Sequence, residues 1–125
     1  MEKGFSPEIV EQTLDELEDQ NYLQDERFAV QFGRAQIREK SLGPDRLKEV
    51  LFEKKISPDI VEQALRTLYT ETPALEVASQ ALQKKLKQTP LPLSIREQKR
   101  LSDYLRRRGF EYDIINKLLR TLKNS

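Results

Sequence analysis

One pattern of apolar and polar positions occurs three times along the chain. Residues 5–14, FSPEIVEQTL, align without gaps with residues 56–65, ISPDIVEQAL, and with residues 110–119, FEYDIINKLL. The match extends to Leu17, Leu68 and Leu122, and the copies are offset by 51 and 54 residues. Within each copy the apolar residues follow helical spacing, so one stripe of each helix is expected to face a core. Recurrence at this period predicts stacked helical units.

The first two copies also carry signals for helix starts. Ser6 and Ser57 are predicted N-caps, whose hydroxyls can accept a hydrogen bond from a free amide of the first turn. Pro7 and Pro58 fall at the first helical position, where a missing N–H costs nothing. Acidic residues follow in the first turn, where they favour the positive end of the helix dipole.

Two further helices are predicted before the second copy. Asp25 is expected to cap a helix that runs to about Lys40. Gly43, with a positive φ, and Pro44 are expected to separate it from a helix over about 44–55. Apolar side chains are expected to line the inner faces, with Val30 and Ile37 touching a neighbouring face. The inner set is Tyr22, Phe28, Phe32, Ala35, Leu47, Val50 and Leu51.

The third unit repeats this plan. Thr72-Pro73 is predicted to open a helix to about Lys87, and Ser94 a helix to Arg108. Gly109 is expected to end the latter in the left-handed conformation. The expected inward residues are Val77, Ala78, Ala81, Leu82, Leu86, Leu101, Tyr104 and Leu105.

These elements predict an all-α fold of tandem three-helix repeats in an elongated, curved array. Residues 1–20 are interpreted as the last helix of a truncated first repeat. Residues 21–70 would form the second three-helix repeat and residues 71–125 the third. The chain would thus open where a repeat should end.

Composition excludes most catalytic chemistry. The 125 residues contain no His and no Cys, and the four Gly are isolated, so the chain lacks the usual general base, a thiolate nucleophile and a phosphate-binding glycine loop. We therefore expect no enzyme, no catalytic residues, no cofactor and no metal site. No segment reaches the roughly 20 apolar residues of a membrane span. A cytoplasmic protein without a membrane partner is expected.

The net charge of +1 conceals a gradient along the chain. Residues 1–26 contain one base and nine acids (1 − 9 = −8), whereas residues 83–125 contain twelve bases and four acids (12 − 4 = +8). The basic residues could simply solubilise helix ends, pair with neighbouring acids, or dock on an anionic partner. For the arginines of the first full helix the salt-bridge interpretation leads. The candidate partner-binding residues are Arg27, Arg34, Arg38, Arg46, Lys84, Lys85, Arg96, Arg100, Arg106, Arg107 and Arg108.

Three motifs carry a resemblance to a known family. Residues 22–32, YLQDERFAVQF, lead into an Arg-containing helix, residues 43–47, GPDRL, form a Gly-Pro turn, and residues 104–110 read YLRRRGF. Together they resemble the RecX family of RecA-recombinase regulators. The resemblance implies a crescent of three-helix repeats that binds in the groove of the RecA filament on single-stranded DNA. It further implies that the protein restrains ATP hydrolysis and strand exchange.

Two alternatives of other classes remain open at this stage. The basic end is also compatible with a sequence-nonspecific module that binds single- or double-stranded DNA. A helical-repeat scaffold with another protein partner is the third hypothesis. In each case we expect a monomer.

Overall fold

Six α-helices make up the protein in a computed structural model, which describes residues 7–87, 89 and 91–123 and the side chains of 21–87, 89 and 91–122. The helices are α1 (Pro7–Lys40), α2 (Pro44–Glu53), α3 (Pro58–Glu71), α4 (Ala74–Leu86), α5 (Ile95–Arg107) and α6 (Tyr112–Lys123). None of these described residues forms a strand. The all-α prediction is confirmed.

The helices pack as two three-helix units. The main contacts of α1, α2 and α3 are with one another, and those of α4, α5 and α6 likewise. Apolar side chains from both units nevertheless form one continuous buried cluster, from Ala29 on α1 to Ile115 on α6. The division of the chain at residues 20/21 and 70/71 remains a prediction.

The helix connections reproduce the sequence repeat in detail. The Ile56 amide donates to the Leu51 carbonyl at 3.2 Å, and the Phe110 amide, 54 residues later, donates to the Leu105 carbonyl at 3.2 Å. The residue before Ile56 has a φ of 64°, and the residue before Phe110, a glycine, has 102°. Both connections are therefore the same left-handed helix ending. The predicted conformation of Gly109 is confirmed.

Aligned positions also share their burial. Val61 and Ile115, which match in the repeat, are 1% and 0% exposed. Ile56 and Phe110, which open the two copies, are both buried. The apolar stripe predicted from the sequence is thus the surface that α3 and α6, the third helices of the two units, bury.

The first helix differs from its prediction. Helix α1 runs without interruption through Asp25, which therefore caps nothing. The reason is local: residues 8–32 contain neither Gly nor Pro, and most favour helix, so nothing ends the first segment. The predicted end at Lys40 is confirmed.

The face that α1 buries was also assigned wrongly. Tyr22 and Phe28 are 41% and 42% exposed, and Phe32 is only half-buried. The buried positions of this part of α1 are Ala29, Gly33 and Ile37, spaced four apart, and Phe32 packs only partly against the core. A Cβ on Gly33 would lie 3.2 Å from Leu47 Cδ2, so the close approach of α1 to its neighbours depends on this glycine.

The turn before α2 is a second correction. Gly43 has a φ of −85° and an extended conformation, whereas Ser41 has a positive φ of 53°. Glycine is required at residue 43 for space, because a Cβ there would meet the Phe110 ring at 2.7 Å. Helix α2 begins at Pro44 as predicted and ends at Glu53.

The serines expected at helix starts differ in outcome. Ser94 forms a capping box with Glu97, its hydroxyl accepting from the Glu97 amide at 3.1 Å. Ser57 occupies the N-cap of α3, but its side chain makes no cap hydrogen bond. Ser6 lies outside the described residues. Tyr104, expected in the core, is half-buried.

Candidate partner-binding surface

Two loops from different units meet along what we call the seam, residues 41–45 and 108–110. The Gly43 amide donates to the Arg108 carbonyl at 2.6 Å, and the Asp45 amide donates to the Gly109 carbonyl at 3.0 Å. A Cβ on Gly109 would lie 2.6 Å from Arg46 Cβ, and its φ is positive, so both facing glycines are needed. Backbone groups thus join the two units at close range.

Side chains reinforce the seam. Arg106 Nη1 donates to Asp45 Oδ2 at 2.7 Å and to the Phe110 carbonyl at 3.0 Å. The hydrogen bond that Arg106 donates to Asp45 is the main cause that raises the pKa of Arg106. Arg108 Nη1 donates to the carbonyl of Lys40, the last residue of α1, at 3.1 Å. Two of the three consecutive arginines therefore hold the units together.

The loop before α2 has further anchors. Tyr69 on α3 donates its hydroxyl proton to the Leu42 carbonyl at 2.7 Å, and Lys84 Nζ on α4 donates to Ser41 Oγ at 3.3 Å. Burial, and secondarily the negative charge of Asp45, raises the pKa of Tyr69. Lys84 is thus placed at the joint between the units.

A basic concave surface follows the seam on both sides of one tyrosine. Two adjoining hollows share Tyr104 and Arg107: one lies between α4 and α5, and the other lies across the seam against α1 and α2. We call this surface the Tyr104 cleft. Its basic residues are Lys40, Arg46, Lys85, Arg100, Arg107 and Arg108.

Cations surround the ring at the centre of the cleft. Lys85 Nζ lies 4.8 Å from the Tyr104 ring centroid, and Arg108 Cζ lies 5.3 Å from it. Both distances allow cation–π attraction, which fixes the two side chains beside the ring. The arrangement concentrates positive charge over a partly apolar floor.

The arginines of α1 do not form one ridge with the cleft. Arg34 donates to both carboxylate oxygens of Glu71 on α3, at 2.8 and 3.2 Å, and this hydrogen bond raises its pKa. The salt-bridge interpretation is confirmed for Arg34. Arg38 lies 3.7 Å from Glu39, with most of its side chain exposed, and Arg27 is exposed.

The remaining candidates fall into two groups. Arg46 borders the cleft but also lies 3.0 Å from Glu49 and 3.7 Å from Glu53. Arg96 is exposed near the start of α5 and does not line the cleft. The structure therefore collects Arg46, Lys85, Arg100, Arg107 and Arg108 of the predicted set and leaves Arg27, Arg34, Arg38 and Arg96 elsewhere. Partner binding by all of them stays a prediction.

Two features of this surface were missed from the sequence. Lys40 was assigned only as a helix end, and Tyr104 only as core. The available signal was composition: a tyrosine followed closely by three arginines is unusual for a buried helix face. Their juxtaposition with Lys40, 64 residues earlier than Tyr104, depends on the tertiary structure.

Metal-binding clusters and membrane-spanning helices are absent from the described residues. They include no group of three or more His, Cys, Asp or Glu side chains arranged to hold a metal ion. Of the helices they form, none is both long and apolar enough to cross a membrane.

Comparison with known proteins identifies the two units. Residues 25–65 match the family description "RecX, second three-helix domain", and residues 72–119 match "RecX, third three-helix domain". The chain is 35% identical over 118 residues to "Regulatory protein RecX" of Prosthecochloris aestuarii, covering 93% of this chain and 74% of that protein. It is 29% identical to the protein of the same description from Lactococcus lactis subsp. cremoris, covering 91% of this chain but 43% of that protein.

A solved structure has the same fold. The crystal structure of RecX from Lactobacillus salivarius superposes with a TM-score of 0.72 at 24% identity, covering 98% of this chain and 79% of that one. The two matched domains correspond to the helices that pack as separate units here. The chain belongs to the RecX family of regulatory proteins, which are not enzymes.

Proposed function

We propose that this protein binds the RecA recombinase filament on single-stranded DNA and restrains its ATP hydrolysis and strand exchange. Membership of the RecX family supports this proposal, and so does one structural observation: the basic cleft crosses the joint between two units. A surface that spans repeats can contact several subunits of a filament at once.

The proposed mechanism requires occupancy and no chemistry. An extended helical array in a filament groove would hinder the subunit movements that accompany hydrolysis and would block access of a second DNA strand. Its binding would depend on contact area and on charge complementarity. The opposite charges of residues 1–26 and 83–125 would orient the chain on a partner that is itself charged.

A pull-down with RecA tests the proposal. RecA is incubated with a non-hydrolysable nucleotide, with or without single-stranded DNA, and the bound fraction of this chain is measured; ATPase rates are followed in parallel with ATP. We expect binding to the DNA-bound filament and slower hydrolysis. Absence of both effects would refute the proposal.

Two charge-reversal variants distinguish specific docking from nonspecific electrostatic binding. Arg107→Glu, in the cleft, should weaken filament binding and relieve the inhibition. Arg66→Glu, on an exposed face of α3 outside the cleft, carries the same change of charge and should retain both. Equal loss in the two variants would argue against the cleft as the contact.

Direct binding of DNA is the second candidate, favoured by the basic residues that the cleft collects. Salt dependence discriminates between the candidates. Binding to phosphates should weaken by about 0.9 log unit per neutralised phosphate for each tenfold rise in salt. Weak, salt-insensitive binding to naked DNA would count against this alternative and leave the filament proposal intact.

A further inference from the structure

We propose that the Tyr104 cleft holds an acidic polypeptide segment with apolar side chains among its carboxylates, and that Arg107 is its principal cation. The inference deepens the proposed function and rests on it in one respect: the partner is taken to be a protein. It follows from the different environments of three adjacent arginines.

The first step separates Arg107 from its neighbours. Arg106 is held by Asp45 and Arg108 by the Lys40 carbonyl and the Tyr104 ring, so both serve the seam. Arg107 is exposed, has no ion pair among the described residues, and borders three adjoining hollows. Its guanidinium is therefore available to an incoming carboxylate.

The second step concerns the floor of the cleft. Val50 and Tyr104 are half-buried and expose part of their apolar surface on this floor, above the buried Leu42 and Leu101. A ligand with charged groups alone would leave this apolar surface in contact with water, whereas a polypeptide can cover it with apolar side chains. Guanidinium groups at the rim match carboxylates in geometry and charge.

The third step explains why a nucleic acid fits less well. Lys85 and Arg108 already lie within cation–π distance of the Tyr104 ring, where a stacked base would have to sit. Glu97 and Asp103 also line the cleft, between its basic residues. A continuous row of phosphates would meet both carboxylates, but a peptide can place its own charges to avoid them.

Fluorescence anisotropy with a short labelled peptide of Glu-Glu-Leu repeats tests the inference on the full chain. We expect saturable binding, and weaker binding of a matched Gln-Gln-Leu peptide. Arg107→Gln should weaken binding of the acidic peptide by roughly threefold to tenfold, as for one exposed charge-assisted contact. Arg120→Gln, an exposed arginine of α6 that does not line the cleft, should leave it unchanged.

Three results would overturn the inference. They are equal binding of the two peptides, equal loss in the two variants, and binding of a labelled oligothymidylate that depends on Arg107 while the acidic peptide fails to bind. The last would reassign the cleft to nucleic acid. Circular dichroism confirms that each variant is folded before its affinity is compared.

The outcomes also separate this inference from the proposed function. If RecA filaments bind the protein and the acidic peptide does not, the inference fails and the proposed function stands. If the peptide binds through Arg107 and filaments do not, the cleft is real and the recombinase is the wrong partner.

Discussion

Phe110 lies against Gly43 at the seam with its side chain fully buried, while Phe28 stacks on Phe32 at 5.3 Å near the surface of α1. Both are phenylalanines beside a charged residue in the sequence, yet only one fills the core. Burial determines which of the two matters more for stability. The loss of unfolding free energy on replacement by Ala grows with the buried apolar surface that is removed and with the cavity that is left.

We therefore predict different costs for two truncations. Phe110→Ala should lower the free energy of unfolding by about 3–5 kcal/mol, because a cavity opens where two units meet. Phe28→Ala should cost less than about 2 kcal/mol, since its ring is already 42% exposed. Urea denaturation measures both, and similar losses would contradict the burial assigned to Phe28.

Tyr69 provides a pH-dependent prediction. The pKa of Tyr69 is raised in the folded state, mainly by burial. The folded state therefore keeps its full stability below the ordinary phenol pKa of about 10 and loses stability as the pH rises above it. Tyr69→Phe should show a smaller alkaline loss. It should also be about 1 kcal/mol less stable near neutral pH, because the Leu42 carbonyl loses its donor.

Urea unfolding at neutral and alkaline pH measures both effects. Tyr112→Phe, on an exposed residue, is the control and should match the wild type at neutral pH. An alkaline loss that is unchanged in Tyr69→Phe would show that other groups cause it.

At the scale of elements, α1 is a single helix where the sequence suggested two. Local propensity alone allowed both interpretations, because Asp25 is a good capping residue in isolation. The continuous backbone makes it an interior residue. The difference matters for the long-range geometry, since one continuous helix fixes the direction of residues 7–24 relative to residues 25–40.

Hydrogen exchange distinguishes the two interpretations. In a continuous helix the amides of Glu26, Arg27 and Phe28 donate to carbonyls four residues earlier and should be protected. In a helix that starts at Asp25 these first-turn amides would have no intrahelical acceptor and would exchange rapidly. The amides of Arg34 to Ile37, deep in α1 in either case, serve as the protected reference. Fast exchange at residues 26–28 alone would contradict the continuous helix.

Gly33 and Gly43, the two glycines among helices α1 to α3 and their connections, lead to a further prediction at this scale. Gly43→Ala should destabilise the protein by more than about 2 kcal/mol, because its Cβ would meet seam backbone and the Phe110 ring, which cannot move away. Gly33→Ala should cost less. Its Cβ meets the ends of flexible leucine side chains, and alanine gains about 1 kcal/mol of helix propensity. Thermal denaturation compares them, and a larger loss at residue 33 would contradict the role of the seam.

At the scale of the whole molecule, backbone hydrogen bonds across the seam join units whose helices otherwise contact mainly within each unit. A repeat protein joined in this way is expected to unfold as one cooperative body, since loss of either unit exposes the other. The orientation of the basic cleft is therefore a property of both units together.

The Asp45–Arg106 pair tests this coupling. Asp45→Asn should lower the melting temperature at low salt, because it removes the charge that Arg106 faces across the seam. The difference should shrink towards about 1 M salt, where exposed charges are screened. Glu62→Gln, which alters only a pair within α3, should change the melting temperature less. A salt-independent difference would indicate that the ion pair is not what Asp45 contributes.

Prediction from sequence succeeded where the determining interactions are local. The helix start at Ser94, the turn at Gly109 and the stripe of Val61 and Ile115 follow from capping, backbone conformation and periodicity within a few residues. It failed for Tyr22 and Phe28, because the choice of buried face on a long helix depends on which neighbours pack against it.

The sequence by itself determined an all-helical repeat protein, since periodicity and capping act over one or two turns and recur at fixed offsets. Only the tertiary structure decided which cations come together. Lys40 and Arg46 are more than 60 residues from Arg107 in the chain and meet it because two glycines allow the loops of two units to touch. The same contact engages Arg106 and Arg108 and leaves Arg107 facing solvent. A linear sequence of three identical residues contains no information about that difference, because it arises from the direction of each side chain on a packed helix.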